Sequence, residues 1–395
     1  MKERVILHSD VNNFFASVEC SNRPELKDKP VAVTGNPKKR TGIILAKNEI
    51  AKKFGVSTGQ VIGEAQAICP DLVCLPPHYD LYEEISEKLH QLYLQYTNLV
   101  EPLGLDECWL DVTDSLKYLK MTGKEIADEI REKVKKEFGF TVSVGVSFSK
   151  IFAKLGSDLR KPDYTTVISK NDYKKITYNL PLNSIVGIGR RLEKKFSSID
   201  VKTIGDFVKL EDSFLSHLMG INGINLKKAL LGENIDEVAD YYALPPPKSV
   251  GNGTTTIEDI IKRKDIEKVV YFLAEKVSSR LIKHKVVAGT LSLTIKTNKL
   301  EKVHKSMKIK PSNSVKELAS LAMEIADKIW NYDFPVRAIR LRASTLTNAN
   351  ALQLSFFDSK KDFSQVAEEI NRRYGKIELA SNMSKFINTS KHSQE

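Results

Sequence analysis

Val100-Glu-Pro-Leu-Gly-Leu-Asp106-Glu107-Cys-Trp-Leu-Asp-Val112 reads as two short strands around a turn that carries adjacent carboxylates. Apolar residues flank the pair on both sides. Two neighbouring carboxylates repel each other unless something compensates them. A divalent cation does so, because a hard ion such as Mg²⁺ prefers carboxylate and phosphate oxygens. A third carboxylate, Asp10, ends the strand-like run Val5-Ile-Leu-His-Ser9. If the two elements lie side by side in one sheet, three carboxylates converge. Such a cluster holds two metal ions, the arrangement used for in-line displacement at phosphorus. The same spacing also suits an ordinary polar turn, and spacing alone leaves both readings open.

Outward from this stretch, residues 79–165 alternate long elements. Tyr82–Leu99 has helical spacing, and Gly123–Phe138 is an amphipathic helix with Ile126, Ile130 and Val134 on one face. Residues 141–147 alternate strictly, the pattern of a half-buried strand, and a helix follows over 149–158. With a strand and a helix over 1–18, the order points to an α+β sheet domain. Residues 19–78 are broken by prolines and read as a small inserted domain.

Residues 166–240 switch to short helices. Val186-Gly187-Ile188-Gly189-Arg190-Arg191-Leu192 opens one of them, and Met219-Gly220-Ile221-Asn222-Gly223 repeats the pattern. Glycines at such turns let a phosphate approach the N–H groups of a helix start, although a plain turn between helices has the same composition. Residues 241–249 contain three consecutive prolines and read as a stiffened linker. Residues 250–345 form a separate α/β pattern, with helices over 266–285 and 314–332 and strands over 290–297 and 337–344. Arg340 and Arg342 share a strand face there, and with Lys296 they suit a phosphate backbone. The tail, 346–395, holds Gln353-Leu-Ser-Phe-Phe357 and ends in a polar stretch expected to be disordered.

The chain of 395 residues carries a net charge of +11. Residues 251–350 have 19 Lys and Arg against 10 Asp and Glu, whereas residues 1–150 have 20 against 22. The excess is therefore local, as expected of a surface that meets a polyanion. No apolar run approaches the roughly 20 residues needed to span a bilayer, so no membrane partner is expected. The four cysteines show no CxxC spacing. Neither zinc nor a disulfide framework is indicated, and a cytoplasmic location is the expectation.

Three motifs stand out: Asp10-Val-Asn-Asn-Phe-Phe-Ala-Ser-Val-Glu19, Leu105-Asp-Glu-Cys-Trp-Leu-Asp111, and Gly145-Val-Ser-Phe-Ser-Lys-Ile-Phe-Ala-Lys154 with Lys161-Pro162. They resemble those of Y-family (translesion) DNA polymerases, closest to their DinB-like branch. Their order and separation also fit, and the resemblance runs from residue 1 to about residue 357. It implies an α+β, multidomain right hand: palm over 1–18 and 79–165, fingers over 19–78, a thumb with helix-hairpin-helix turns over 166–240, and a little finger over 250–345.

The resemblance implies a DNA-directed DNA polymerase without proofreading, acting on primer-template DNA and deoxynucleoside triphosphates as a monomer. Asp10, Asp106 and Glu107, with the Val11 carbonyl, would hold two Mg²⁺ ions, and Mn²⁺ would fit the same oxygens. Phe15 matches the ring that excludes ribonucleotides, though Phe14 and Phe15 could both be core residues. Lys161 and Lys52 match phosphate contacts. Here Glu49-Ile-Ala-Lys52 replaces a Tyr-x-x-Arg pattern, and Asn12 replaces a common second aspartate. Glu19 and Asp111 read as structural. Gly187, Gly189, Arg190, Arg340 and Arg342 would contact DNA. Gln353, Leu354, Phe356 and Phe357 resemble a motif that binds the sliding clamp. Two other readings compete: an inert polymerase-like DNA-binding scaffold, and another palm-based enzyme such as a nucleotidyl cyclase.

Overall fold

A computed structural model describes residues 3–36, 42–233 and 236–349. The chain divides into two compact units, residues 1–34 with 44–244, and residues 35–43 with 245–395. The first unit opens with β1 (Ile6–Val11) and α1 (Phe14–Ser21), then β2 (Val31–Thr34), β3 (Ile44–Lys47), α2 (Glu49–Lys53), α3 (Ile62–Ile68) and β4 (Val73–Leu75). Next come α4 (Tyr79–Tyr93), β5 (Val100–Leu103), β6 (Glu107–Asp111), α5 (Ser115–Leu119), α6 (Gly123–Phe138), β7 (Val142–Ser147), α7 (Lys150–Leu159) and β8 (Thr165–Ile168).

One sheet has the strand order β5-β6-β1-β7-β8, with β1 at its centre. β1 runs antiparallel to both neighbours, and the register sets Asp10 opposite Glu107 on one side and Ser143 on the other. α4 and α6 cover one face, where Tyr82, Leu89, Ile126 and Ile130 pack with Leu7, Val11, Val142 and Val144. α6 is fixed at both ends. Thr122 and Glu125 form a reciprocal capping box, and Gly139 terminates the helix at φ 74°. α4 begins and ends earlier than its apolar spacing predicts, because the chain turns after Tyr93. Tyr96 packs against α6 instead, donating its hydroxyl to Glu129 at 2.8 Å.

α7 covers the other face. A Cβ at Gly145 would stand 1.9 Å from the Ala153 carbonyl oxygen, so only glycine lets the helix seat on β7. This corrects the expected half-buried strand. β7 is buried along its whole length, because its small residues Ser143, Gly145 and Ser147 make the surface that α7 covers.

A smaller sheet, β3-β2-β4, packs Ala32 and Ile44 with Ala51, Ile62 and Leu72. Beyond β8, the short helices α8 (Tyr173–Thr177), α9 (Arg190–Ser197), α10 (Ile204–Val208), α11 (Asp212–Met219) and α12 (Ile221–Leu230) surround Phe196, Phe207, Leu215 and Leu230.

The second unit holds β9 (Ser249–Ile260), α13 (Arg263–Lys283), β10 (Val286–Thr297), β11 (Lys302–Ser312), α14 (Val315–Ile329) and β12 (Val336–Asn348). Its antiparallel sheet runs β11-β10-β12-β9, and α13 and α14 bury one face around Leu291, Leu293, Ile339 and Leu341. Of its edge strands, β9 is glycine- and threonine-rich, whereas β11 is lysine-rich and turns Val303, Met307 and Ile309 to the core. Lysines on an edge discourage pairing with another chain. Arg340 and Arg342 are exposed on β12, opposite Gly253 and Gly251. No helix among the described residues is long and apolar enough to cross a membrane.

Candidate active site

The end of β1 is tied to the β5–β6 turn. Val11 N–H donates to the Asp106 carbonyl at 3.0 Å, while Asp10 pairs across with Glu107. Gly104 gives this turn its backbone at φ +81°. The three carboxylates predicted to converge therefore do so. Residues 8 and 10 point to the α7 face of β1, since strand side chains alternate.

α7 brings the compensating charge. Lys154 Nζ lies 2.7 Å from Asp10 Oδ2, 2.9 Å from Glu107 Oε2 and 3.2 Å from Asp158. Lys161 Nζ lies 2.8 Å from Asp10 Oδ1 and 2.9 Å from Asp158 Oδ1. His8 is fully buried. Its Nδ1 is 2.9 Å from Ser157 Oγ and its Nε2 is 3.3 Å from Glu107 Oε2. Ser157 spends its own hydrogen on the Lys154 carbonyl at 2.8 Å. The imidazole thus sits between Ser157 and the carboxylate cluster, with Nε2 turned towards Glu107.

The electrostatics are uneven. Burial, and then Glu107 and Asp10, push Asp106 up to about 6. Burial would also raise Glu107, but His8 and Lys154 prevail and hold it at about 2. Burial would lower Lys154 and Lys161, yet the surrounding carboxylates raise both. Burial lowers His8. Asp106 has no ion pair among the described residues, so an ionised Asp106 is the uncompensated charge of the group. Hard carboxylate oxygens, one group of them uncompensated and the others neutralised by the Lys154 and Lys161 ammonium groups, suit a divalent cation. His8, Asp10 and Glu107 offer ligand atoms within 4.8 Å of one another.

A cleft of about 330 Å³ opens over this cluster. Asp10, Val11, Phe15, Lys52, Asp106, Glu107 and Lys161 all line it, so the structure brings together every residue predicted for metal and triphosphate. Phe14 is buried in the core, while Phe15 is half-buried at the cleft. Glu49 accepts from Asn13 Nδ2 at 2.8 Å and lies 3.5 Å from Lys52 Nζ, so Lys52 enters the cleft already paired.

Sequence reasoning gave no role to Lys154, Asp158, His8 or Lys47, which also surround the cluster or its cleft. The i, i+4 spacing of Lys154 and Asp158, continued to Lys161, was the available signal. Gly187 and Gly189 do not line the cleft. Gly187 has φ +100°, and Gly189 caps α9, whose first residue, Arg190, is exposed. Gln353, Leu354, Phe356 and Phe357 lie outside the described residues.

Two family models match the chain: the impB/mucB/samB family over residues 9–158 and its C-terminal domain over residues 247–356. The chain belongs to this family. It is a Y-family member of the DNA polymerase IV (DinB-like) branch. A DNA polymerase IV from Acetivibrio thermocellus is 41% identical over 94% of this chain and 95% of that protein. One from Bacillus velezensis is 34% identical over 95% and 91%. DNA polymerase IV 1 from Bacillus subtilis is 32% identical over 95% and 91%. A solved Dbh–Dpo4 Y-family DNA polymerase chimera superposes with a TM-score of 0.76 at 23% identity, covering 87% of this chain and 99% of that one. The DinB-like chain thus has the Y-family polymerase fold.

Proposed function

We propose that the protein is a translesion DNA polymerase that adds deoxynucleotides to a primer 3′ end on a template strand. One observation carries this reading: the Asp10, Asp106 and Glu107 carboxylates share a single cleft with Phe15, Lys52 and Lys161. Asp10, Asp106, Glu107 and the Val11 carbonyl would hold two Mg²⁺ ions. When bound, such a pair makes the primer hydroxyl a better nucleophile and neutralises the leaving pyrophosphate. Lys161 and Lys52 bind and orient the triphosphate. Phe15 lies under the sugar and excludes a 2′-hydroxyl.

Residues 1–18 and 79–165 act as the palm, 19–78 as fingers, 166–240 as thumb and 250–345 as little finger, with 241–249 as linker. The thumb turns at Gly187, Gly189 and Arg190 and the exposed Arg340 and Arg342 grip the DNA backbone, where contacts set affinity rather than sequence choice. Gln353, Leu354, Phe356 and Phe357, in the tail 346–395, tether the monomeric cytoplasmic enzyme to the sliding clamp. The test is primer extension by the purified protein with Mg²⁺ on a primed template. Template-dependent extension of the primer is expected. DNA binding without extension would favour an inert scaffold.

A further inference from the structure

Phe15 can reject a 2′-hydroxyl only if its ring cannot retreat, and the structure shows what stands behind it. Tyr82 of α4 stacks on Phe15 with centroids 4.4 Å apart and planes at 15°. Tyr79 meets both rings edge-on, at 5.9 and 5.8 Å. Tyr82 is fully buried, and its hydroxyl donates to Glu19 Oε1 at 2.6 Å. Glu19 is itself buried. The same oxygen lies 2.7 Å from His78 Nδ1, and Oε2 lies 3.5 Å from Arg23. A carboxylate held this far from solvent is costly unless it is paired and hydrogen-bonded. Here it is, and Tyr82 is one of its donors.

The helix geometry explains the arrangement. Phe15 and Glu19 are one turn apart on α1, so they share a face. A tyrosine lying along that face can stack on the first and donate to the second. Tyr82 does both. Burial, and then the bond to Glu19, push the Tyr82 hydroxyl well above its ordinary range, so it remains a donor.

We propose that Glu19 is a positioning residue for sugar selection: by anchoring the Tyr82 hydroxyl it fixes the ring on which Phe15 rests. This rests on the reading of Phe15 as the sugar gate. Glu19 never reaches the cleft, whose lining does not include it. Its effect on selection passes through Tyr82.

The experiment measures kcat/KM for a deoxynucleotide and its ribonucleotide counterpart on primed template, with melting temperatures for each variant. Phe15→Ala tests the gate itself. Tyr82→Phe keeps the stacked ring and removes only the hydroxyl. Glu19→Ala removes the anchor, and Glu19→Gln restores an acceptor for the hydroxyl. The expected result is a collapsed ratio for Phe15→Ala. Tyr82→Phe and Glu19→Ala should lower it roughly tenfold, the scale of one missing charge-assisted hydrogen bond, through faster ribonucleotide use. Glu19→Gln should lie nearer the wild type than Glu19→Ala. A purely structural role would lower melting temperature and leave the ratio alone. If Phe15→Ala collapses the ratio while Tyr82→Phe leaves it unchanged, the anchoring is overturned and the gate stands. If Phe15→Ala leaves the ratio unchanged, the gate and the anchoring fall together.

Discussion

Replacing Lys154 by Met removes the cation at the centre of the carboxylate cluster while keeping most of its unbranched stem. The ammonium is 2.7 Å from Asp10 and 2.9 Å from Glu107, and its side chain is only 10% exposed. Taking one partner from a buried pair costs about 3–5 kcal/mol. A second route gives a similar figure. Glu107 sits at about 2 against an ordinary 4.5. At about 1.4 kcal/mol per pKa unit this is roughly 3 kcal/mol, shared with His8. That contribution belongs to a depressed carboxylate. It is present above about pH 4.5 and is lost as pH falls towards 2. For a unit of this size each kcal/mol moves the melting temperature by about 2–4 °C, so Lys154→Met should melt roughly 6–12 °C lower without metal. Divalent ions then bind an uncompensated cluster and should recover much of the loss, since a ligand of the folded state stabilises by mass action. Scanning calorimetry of both proteins, with chelator and with Mg²⁺, gives the four values. An equal response of both proteins to Mg²⁺, or no loss in chelator, would refute the account of Lys154 as the resident counter-charge.

Asp106 has a folded pKa of about 6 against an ordinary 3.8, so ionising it opposes folding, and metal-free stability should rise as pH falls from about 6 to about 4. Asp106→Asn should therefore raise the metal-free melting temperature at neutral pH, by about 1–3 kcal/mol in stability, while abolishing primer extension; calorimetry beside an extension assay reads both. Arg340→Ala with Arg342→Ala should weaken primer-template binding and flatten its log–log salt slope by about 0.9 for each phosphate that is no longer neutralised, as fluorescence anisotropy across a salt series would measure. Replacing Gln353, Leu354, Phe356 and Phe357 by Ala should leave clamp-free extension intact and reduce clamp-stimulated synthesis, because a tether acts through effective concentration.

The site's carboxylates were legible because each sits at a strand end that apolar runs mark in the sequence. Their neutralisation was not. Lys154 meets Asp10 across 144 positions, and only because Gly145 lets α7 descend onto β7. That close approach also hid the burial of β7, whose small residues look solvent-facing until a helix covers them. In the second unit β10 and β12 could be read from their alternation. β9 could not, since its glycines and threonines carry no apolar period, and in β11 the period of Val303, Met307 and Ile309 is interrupted at Lys305 and set among lysines. Phe15 could be placed by motif, and Glu19 sat one turn away on the same helix. What joined them was Tyr82, which approaches from a helix more than sixty residues further on.

The account stands on Asp10, Asp106 and Glu107 serving phosphoryl transfer and not DNA binding. The most direct measurement is single-turnover incorporation of one deoxynucleotide with Mg²⁺ by wild type and Glu107→Ala, with primer-template affinity measured on the same preparations. The account predicts that incorporation is lost from Glu107→Ala while its DNA affinity stays close to that of wild type. Incorporation by Glu107→Ala near the wild-type rate would contradict it.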